Sequence, residues 1–206
     1  PAAMPPLVVI VDDEGAVRAS LDSLFRSIGL RTLMCASPAE LLEGPVPDGP
    51  GCIILDVRLP GISGLDVQDE LARHGIALPI VFMTGHGDIP MSVRAMKAGA
   101  VDFLPKPFRD QDMLDAVAAA IERDTRRRER DAALDGVRAL YATLTPRERE
   151  VMAHVATGLM NKQVAGLLGL SEITVKIHRG NVMRKMGVRT LADLVRHAEV
   201  LGIRQR

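Results

Sequence analysis

Residues 7–13 read LVVIVDD, five apolar side chains followed directly by two carboxylates. An unbroken apolar run is typical of a strand that helices cover on both faces, as in a parallel sheet. Four further short runs rich in apolar residues follow along the chain: Arg31 to Cys35, Cys52 to Leu55, Pro79 to Met83 and Val101 to Leu104. Apolar residues recur at helical spacing between the runs, which predicts a (βα)5 domain with a doubly wound, flavodoxin-like α/β fold.

Polar side chains follow four of these predicted strands. Asp12 and Asp13 follow the first strand, Asp56 ends the third, Thr84 ends the fourth and Lys106 comes just after the fifth. In a doubly wound sheet the ligand site lies outside the carboxyl ends of the strands, where the strand order reverses. The sequence therefore predicts that these five side chains lie at one edge of the sheet.

This set of side chains indicates phosphoryl chemistry around a metal ion. Crowded carboxylates raise one another's pKa values unless a hard divalent cation lies between them, and Mg²⁺ suits oxygen ligands. Asp56 is the candidate nucleophile, while Lys106 and the Thr84 hydroxyl are placed to bind phosphoryl oxygens. A single Asp after a strand is more often a helix cap, so the prediction depends on the whole set.

The same positions resemble the receiver domain of bacterial two-component response regulators over about the first 120 residues. The resemblance is carried by Asp12-Asp13, Asp56 with Pro60-Gly61, Thr84 and Lys106-Pro107. The stretches 84–88 and 96–100, with Asp102-Phe103, resemble the FixJ type in particular. The resemblance implies that a sensor histidine kinase transfers a phosphoryl group to Asp56.

Further roles follow only from this resemblance. It implies that Mg²⁺ is held by Asp12 or Asp13, by Asp56 and by the backbone carbonyl of Arg58. It implies a switch in which Thr84 moves toward the phosphoryl group and the ring of Phe103 turns inward, although an aromatic residue in a strand is usually part of the core. The implied output surface comprises the helix from about 89 to 98, the strand ending at 104 and the helix from about 110.

Charge divides the chain in two. Residues 1–124 carry 10 basic and 18 acidic side chains, a net charge of −8, whereas the remainder carries 16 basic and 8 acidic side chains, a net charge of +8. The basic end suggests a polyanionic partner. No stretch approaches the roughly 18–20 apolar residues of a membrane span, and no signal-peptide pattern is seen at the start, so we expect a cytoplasmic protein. Cys35 and Cys52 lie in predicted strands and receive no chemical role.

A charged helical linker is predicted between the two parts. The run Glu122 to Asp131 follows a helical pattern without Pro or Gly. Its three successive arginines, residues 126–128, resemble a nucleic-acid patch, but acidic residues interleave with them and favour a solvated helix surface. Apolar spacing resumes after Gly136, which suits a dimer helix or a rigid spacer.

The basic end contains a helix-turn-helix pattern. Thr145, Pro146 and Glu148 form a predicted capping box with proline at the first helical position. A helix then ends at Gly158, a second covers about 161–168, and Ser171 caps a third. Two short helices joined by a Gly-containing turn predict that the third helix reads DNA.

Candidate DNA contacts follow from the helical wheel of that third helix. Val175, Val182 and Met186 share the core face, and the opposite face carries Ile173, Lys176, Ile177, Gly180 and Arg184. Arg179, Asn181 and Lys185 lie to the flanks, while Lys162, near the start of the preceding helix, suits a backbone phosphate. Each of these side chains has the alternative of being simply solvated.

These residues resemble the DNA-binding domain of LuxR/NarL type over roughly residues 142–206. The resemblance is carried by Thr145 to Glu148, Asn161 to Ala165, and Ser171 with Thr174 to His178, and Thr174 joins the candidate DNA contacts on this basis. The resemblance implies a fourth helix at about 191–201 that often pairs two subunits on DNA. Gly180 departs from relatives with a longer polar residue there, which weakens the case for a base contact at that position.

We therefore expect a response-regulator transcription factor, not an enzyme, with a receiver at 5–121, a linker at 122–141 and a DNA-binding domain at 142–206. Expected partners are a sensor histidine kinase, double-stranded promoter DNA, RNA polymerase and, after phosphorylation, a second copy of the chain. Two alternatives are disfavoured. Haloacid-dehalogenase-like phosphatases need an Asp-x-Asp nucleophile after the first strand, and a constitutive DNA-binding protein with a degenerate receiver would lack an acidic or switch residue.

Overall fold

The computed structural model describes residues 4–44, 48–85 and 89–203. Residues 86–88, part of the stretch that resembles the FixJ type, lie outside the described residues. The chain divides into two compact units, Pro1–Arg128 and Glu129–Arg206. The first unit contains β1 (Leu7–Val11), α1 (Gly15–Ser27), β2 (Arg31–Cys35), α2 (Pro38–Glu43), β3 (Gly51–Asp56), β4 (Arg58–Leu59), β5 (Ile62–Ser63), α3 (Gly64–Arg73), β6 (Ile80–Thr84), α4 (Ile89–Lys97) and β7 (Asp102–Pro105). Helix α5 (Asp110–Ala142) includes the boundary, and the second unit continues with α6 (Pro146–Ala156), α7 (Asn161–Leu168), α8 (Glu172–Lys185) and α9 (Leu191–Val200).

The main sheet has the order β2-β1-β3-β6-β7, and each neighbouring pair is parallel. The predicted doubly wound fold is therefore confirmed, with predicted strand ends within one residue of those observed. The antiparallel pair β4 and β5 was not predicted, because each strand has only 2 residues and shows no readable periodicity. The predicted reversal of strand order falls between β1 and β3.

The sheet is covered on both faces, which explains the unbroken apolar runs. On β1, Val9 and Val11 belong to a core with residues of α2 and α3, whereas Val8 and Ile10 belong to a second core with α1 and α5. Both cysteines are free and buried. Burial, followed by the charge of Asp124, raises the pKa of Cys52 to about 12, so its thiol stays protonated.

The charged part of α5 differs from the predicted solvated surface at one position. Asp124 is only 1% exposed, and its carboxylate accepts hydrogen bonds from the backbone amide of Gly51 at 3.1 Å, from Arg127 at 2.7 Å and from Arg128 at 2.7 Å. The amide of Gly51 is buried at the start of β3 and needs an acceptor. The exposed pair of Arg126 with Glu122 matches the prediction.

The second unit has its own core, built by α6 to α9 with the last turns of α5. Val175, Val182 and Met186 are buried in it, which confirms the predicted core face of α8. The Thr145 capping box is present, and Gly169 ends α7 at φ +65°, a backbone conformation that favours glycine. Tyr141 packs against this core, with the Arg149 guanidinium 5.1 Å from its ring centroid. Of the helices in the described ranges, none is long and apolar enough to span a membrane.

Candidate functional sites

Five polar residues lie at the carboxyl edge of the parallel strands, as the sequence predicted. Asp12 and Asp13 follow β1, Asp56 is the last residue of β3, Thr84 is the last residue of β6, and Lys106 follows β7. Asp12 and Thr84 are fully buried, and Asp56 is 5% exposed. Parallel pairing of β1, β3, β6 and β7 brings these residues to the same edge.

Lys106 joins two of the carboxylates. Its Nζ donates to Asp12 Oδ2 at 2.9 Å and to Asp56 Oδ2 at 2.8 Å. Burial by itself lowers the pKa of Lys106, but the hydrogen bonds to Asp56 and Asp12 outweigh it and raise the pKa above its ordinary value. The ammonium group is therefore charged and offsets the repulsion between the two acids.

Backbone amides fix the other oxygen of each acid. Asp12 Oδ1 accepts from the amide of Glu14 at 2.8 Å, and Asp56 Oδ1 accepts from the amide of Arg58 at 2.9 Å. The Arg58 backbone thus lies beside Asp56, while the Arg58 side chain is exposed. These bonds fix the orientation of both carboxylates.

Gly64 supports the site, although no sequence pattern marks it as special. A Cβ atom at this position would lie 2.7 Å from the carbonyl oxygen of Asp56 and 2.9 Å from Cα of Val57. Helix α3 begins at Gly64, so only glycine lets this helix start so close to the strand that carries Asp56. In the sequence, a single glycine after a serine is too common a pattern to be informative.

The acidic residues are arranged in a way that could hold a metal ion. Within the described parts of the chain, Asp12, Asp13 and Asp56 each offer an oxygen atom, and these atoms lie within 4.8 Å of one another. Asp13 is exposed, whereas the other two are buried, so the cluster opens to solvent on one side. An all-carboxylate donor set fits a hard divalent cation.

The two residues of the predicted switch lie on neighbouring strands. The backbone carbonyl of Thr84 accepts from the amide of Lys106 at 2.6 Å. Phe103 is half-buried, with its ring centroid 6.4 Å from that of Phe82 and the ring planes at 47°. The Phe103 ring therefore packs at the edge of the core rather than inside it.

Helix α8 presents the predicted face to solvent. Ile173, Lys176, Ile177, Gly180 and Arg184 are all exposed. Ser171 caps the helix by accepting from the amide of Thr174 at 3.1 Å. Lys162 is likewise exposed, in the first turn of α7.

Side-chain hydrogen bonds within the second unit also involve five of the candidate DNA contacts: Thr174, Arg179, Asn181, Arg184 and Lys185. Arg179 donates to Asn161 at 3.2 Å, and Arg184 donates to Asn181 at 2.9 Å. Lys185 donates to Glu148 at 2.7 Å, and Glu148 is only 3% exposed. This pair favours a structural role for Lys185, because a phosphate contact would leave a buried carboxylate without its cation.

Two family models match the chain, one in each unit. The model of the "Response regulator receiver domain" matches residues 8–118, and that of "Bacterial regulatory proteins, luxR family" matches residues 142–198. Nodulation protein W of Bradyrhizobium diazoefficiens is 59% identical over 202 residues, which are 98% of this chain and 89% of that protein.

Solved structures of whole chains are also similar. The response regulator StyR has a TM-score of 0.84 at 46% identity, covering 95% of this chain and 98% of that one. Full-length FixJ from B. japonicum has a TM-score of 0.56 at 37% identity, covering 97% and 98%. The chain therefore belongs to the two-component response regulators, with a receiver domain followed by a luxR-family DNA-binding domain.

Proposed function

We propose that phosphorylation of Asp56 switches on promoter binding by the second unit, which then activates transcription. The Lys106 ammonium group, shared between the buried carboxylates of Asp12 and Asp56, is the observation that carries this proposal. The receiver family implies a kinase partner and the luxR family implies DNA. The role that we assign to the chain is that of a regulator rather than an enzyme.

Asp56 is the proposed nucleophile. One of its carboxylate oxygens attacks the phosphorus of a phosphohistidine on the sensor kinase. The new P–O bond forms as the P–N bond breaks, and the imidazole leaves with the bonding electron pair and takes up a proton. Lys106 then keeps a positive charge beside the transferred oxygens, and the Thr84 hydroxyl donates to one of them.

We propose Mg²⁺ as the ion of the acidic cluster. Asp12, Asp13 and Asp56 would hold it, with the backbone carbonyl of Arg58 as a further oxygen ligand. When bound, the ion neutralises the cluster and the phosphoryl oxygens. The hydrogen bond from the Arg58 amide supports this assignment, because it keeps the Arg58 backbone close to Asp56.

The proposed switch couples Thr84 to Phe103. Thr84 moves toward the phosphoryl group, and the Phe103 ring turns inward into the space that opens. The register supports the coupling, because Phe82 pairs with Phe103 and Thr84 pairs with Pro105. A half-buried ring at the core edge can change its position with little loss of packing.

DNA contacts are proposed on α8 and at the start of α7. The proposed contacts are Lys162, Thr174, Lys176, Ile177, Arg179, Gly180, Asn181 and Arg184, with Lys185 supporting them through Glu148. We assign residues 5–121 to the receiver, 122–141 to a linker and 142–206 to DNA binding. Phosphorylation would bring two chains together on promoter DNA in the cytoplasm. The bound dimer would then contact RNA polymerase.

The proposal is tested by selecting DNA from a random pool with the full chain, Mg²⁺ and a small phosphodonor. Wild type should enrich one sequence only with the phosphodonor, and Asp56→Asn should not respond to it. Asp69→Asn is the matched control, since Asp69 is an exposed aspartate on α3 of the same unit. If wild type and Asp56→Asn bound the selected DNA equally well under phosphodonor conditions, the switch would be refuted while DNA binding stood.

A further inference from the structure

Two large apolar side chains are exposed on helix α8. Ile173 is 73% exposed and Ile177 is 59% exposed, although Val175 and Val182 of the same helix are buried. Covering exposed apolar side chains of this size with a partner stabilises the complex. The question is therefore what covers this part of α8.

The two isoleucines form a strip along one face of the helix. They are four residues apart and so lie about 6 Å from each other along the axis. Gly180 and Arg184 continue the same face. Ile173 lies in the first turn of α8, the part of a recognition helix that contacts base edges.

Charge identifies the occupant as nucleic acid. Helix α8 carries four basic residues and one acidic residue, Glu172, so the isoleucine strip lies in a cationic surface. Lys176 and Arg184 flank it on the exposed side. A polyanion with apolar groups in its groove fits both features, and the thymine 5-methyl group is the apolar group of the major groove.

We infer that Ile173 and Ile177 determine operator specificity by packing against thymine methyl groups. This inference rests on the proposed DNA-binding function of α8. Stacked base pairs are about 3.4 Å apart, so isoleucines about 6 Å apart contact methyl groups one or two base pairs apart. The selected operator should therefore contain two thymines at this spacing in each half-site.

At the next turn of the strip, Gly180 presents no side chain. Apart from Gly180, its two neighbours and the backbone of its own helix, no atom of the described residues lies within 4 Å of the place where its Cβ would be. The two isoleucines are therefore the apolar readers of this face, and the base opposite Gly180 is read weakly.

The test removes single methyl groups from the DNA. Each thymine of the selected operator is replaced in turn by deoxyuridine, which lacks only the 5-methyl group, and binding of the phosphorylated full chain is measured. Wild type should lose affinity about fourfold at each contacted thymine and nothing elsewhere. Ile173→Ala should abolish that sensitivity at one thymine, and Ile177→Ala should abolish it at the other.

Leu167→Ala is the matched control, since Leu167 is 62% exposed on α7 and lies outside the strip. This variant should keep the wild-type response to deoxyuridine. The scan with wild type needs no variant to fold, so it decides the inference by itself. Unchanged affinity at every deoxyuridine would overturn the thymine reading and leave the proposed DNA-binding function standing. Failure to enrich any sequence would overturn both.

Discussion

The Glu148 carboxylate combines a helix cap with a buried ion pair. It accepts a hydrogen bond from the backbone amide of Thr145 at 2.8 Å and another from Lys185 at 2.7 Å. The hydrogen bond from Lys185 is the largest influence and, with that from Thr145, lowers the pKa of Glu148 against the raising effect of burial. Glu148 thus links the start of α6 to the end of α8.

The pH dependence of stability should report this pair. Because the pKa of Glu148 is lower in the folded chain, its contribution is fully present above the unfolded value of about 4.3 and is lost as pH falls through the folded value. In wild type, the unfolding free energy should decrease as the pH falls below about 4.3, and in Glu148→Gln this decrease should be smaller. Urea unfolding of the full chain at several pH values measures both. An unchanged pH profile in this variant would contradict the assignment.

Helix α5 is held to the receiver by Asp124. Asp124→Ala should leave the Gly51 amide without an acceptor and remove one ion pair from each of Arg127 and Arg128. We expect the unfolding free energy to fall by about 2–3 kcal/mol and amide exchange at Gly51 to accelerate. Glu122→Gln breaks an exposed ion pair on the same helix and should lower the unfolding free energy by less than about 0.5 kcal/mol. Equal losses of unfolding free energy in the two variants would argue against a stabilising role for the buried carboxylate of Asp124.

Two glycines of the helix-turn-helix should respond oppositely to alanine. Gly180 lies inside α8 with open space around it, so Gly180→Ala should raise the unfolding free energy by roughly 0.5–1 kcal/mol. Gly169 has φ +65°, so Gly169→Ala should lower it by about 1 kcal/mol. Thermal unfolding of the two variants beside wild type provides the comparison. A stabilised Gly169→Ala would mean that the turn between α7 and α8 is not left-handed there.

Over the whole chain, the number of basic side chains that contact phosphates sets the response of DNA binding to salt. Four candidate cations are available for phosphates in each chain: Lys162, Lys176, Arg179 and Arg184. Counterion release then predicts a slope of log affinity against log salt of about −3.6 for each chain bound. Lys162→Met should reduce its magnitude by about 0.9, whereas Lys185→Met should leave the slope unchanged and lower stability. A slope that falls equally in both variants would place Lys185 on the DNA.

The fold was readable from the sequence because buried parallel strands and capped helices leave local patterns. The five apolar runs predicted the sheet, the polar residues that follow them predicted which side chains lie at its carboxyl edge, and Thr145 and Ser171 predicted the starts of α6 and α8. Two contacts that the sequence did not predict join residues far apart in the chain. Asp124 binds Gly51, 73 residues away, and Lys185 binds Glu148, 37 residues away, so local patterns placed Asp124 on a solvated surface and Lys185 among the candidate DNA contacts.

Tyr141 has a spectroscopic consequence. The chain contains no tryptophan and one tyrosine, which packs against the core of the second unit, while its 4 phenylalanines all precede residue 129. Tyrosine fluorescence therefore reports the folding of the second unit alone, whereas far-ultraviolet circular dichroism reports both units. Comparing the two melting curves with and without phosphodonor shows how far modification of the receiver changes the stability of its neighbour, with no added label.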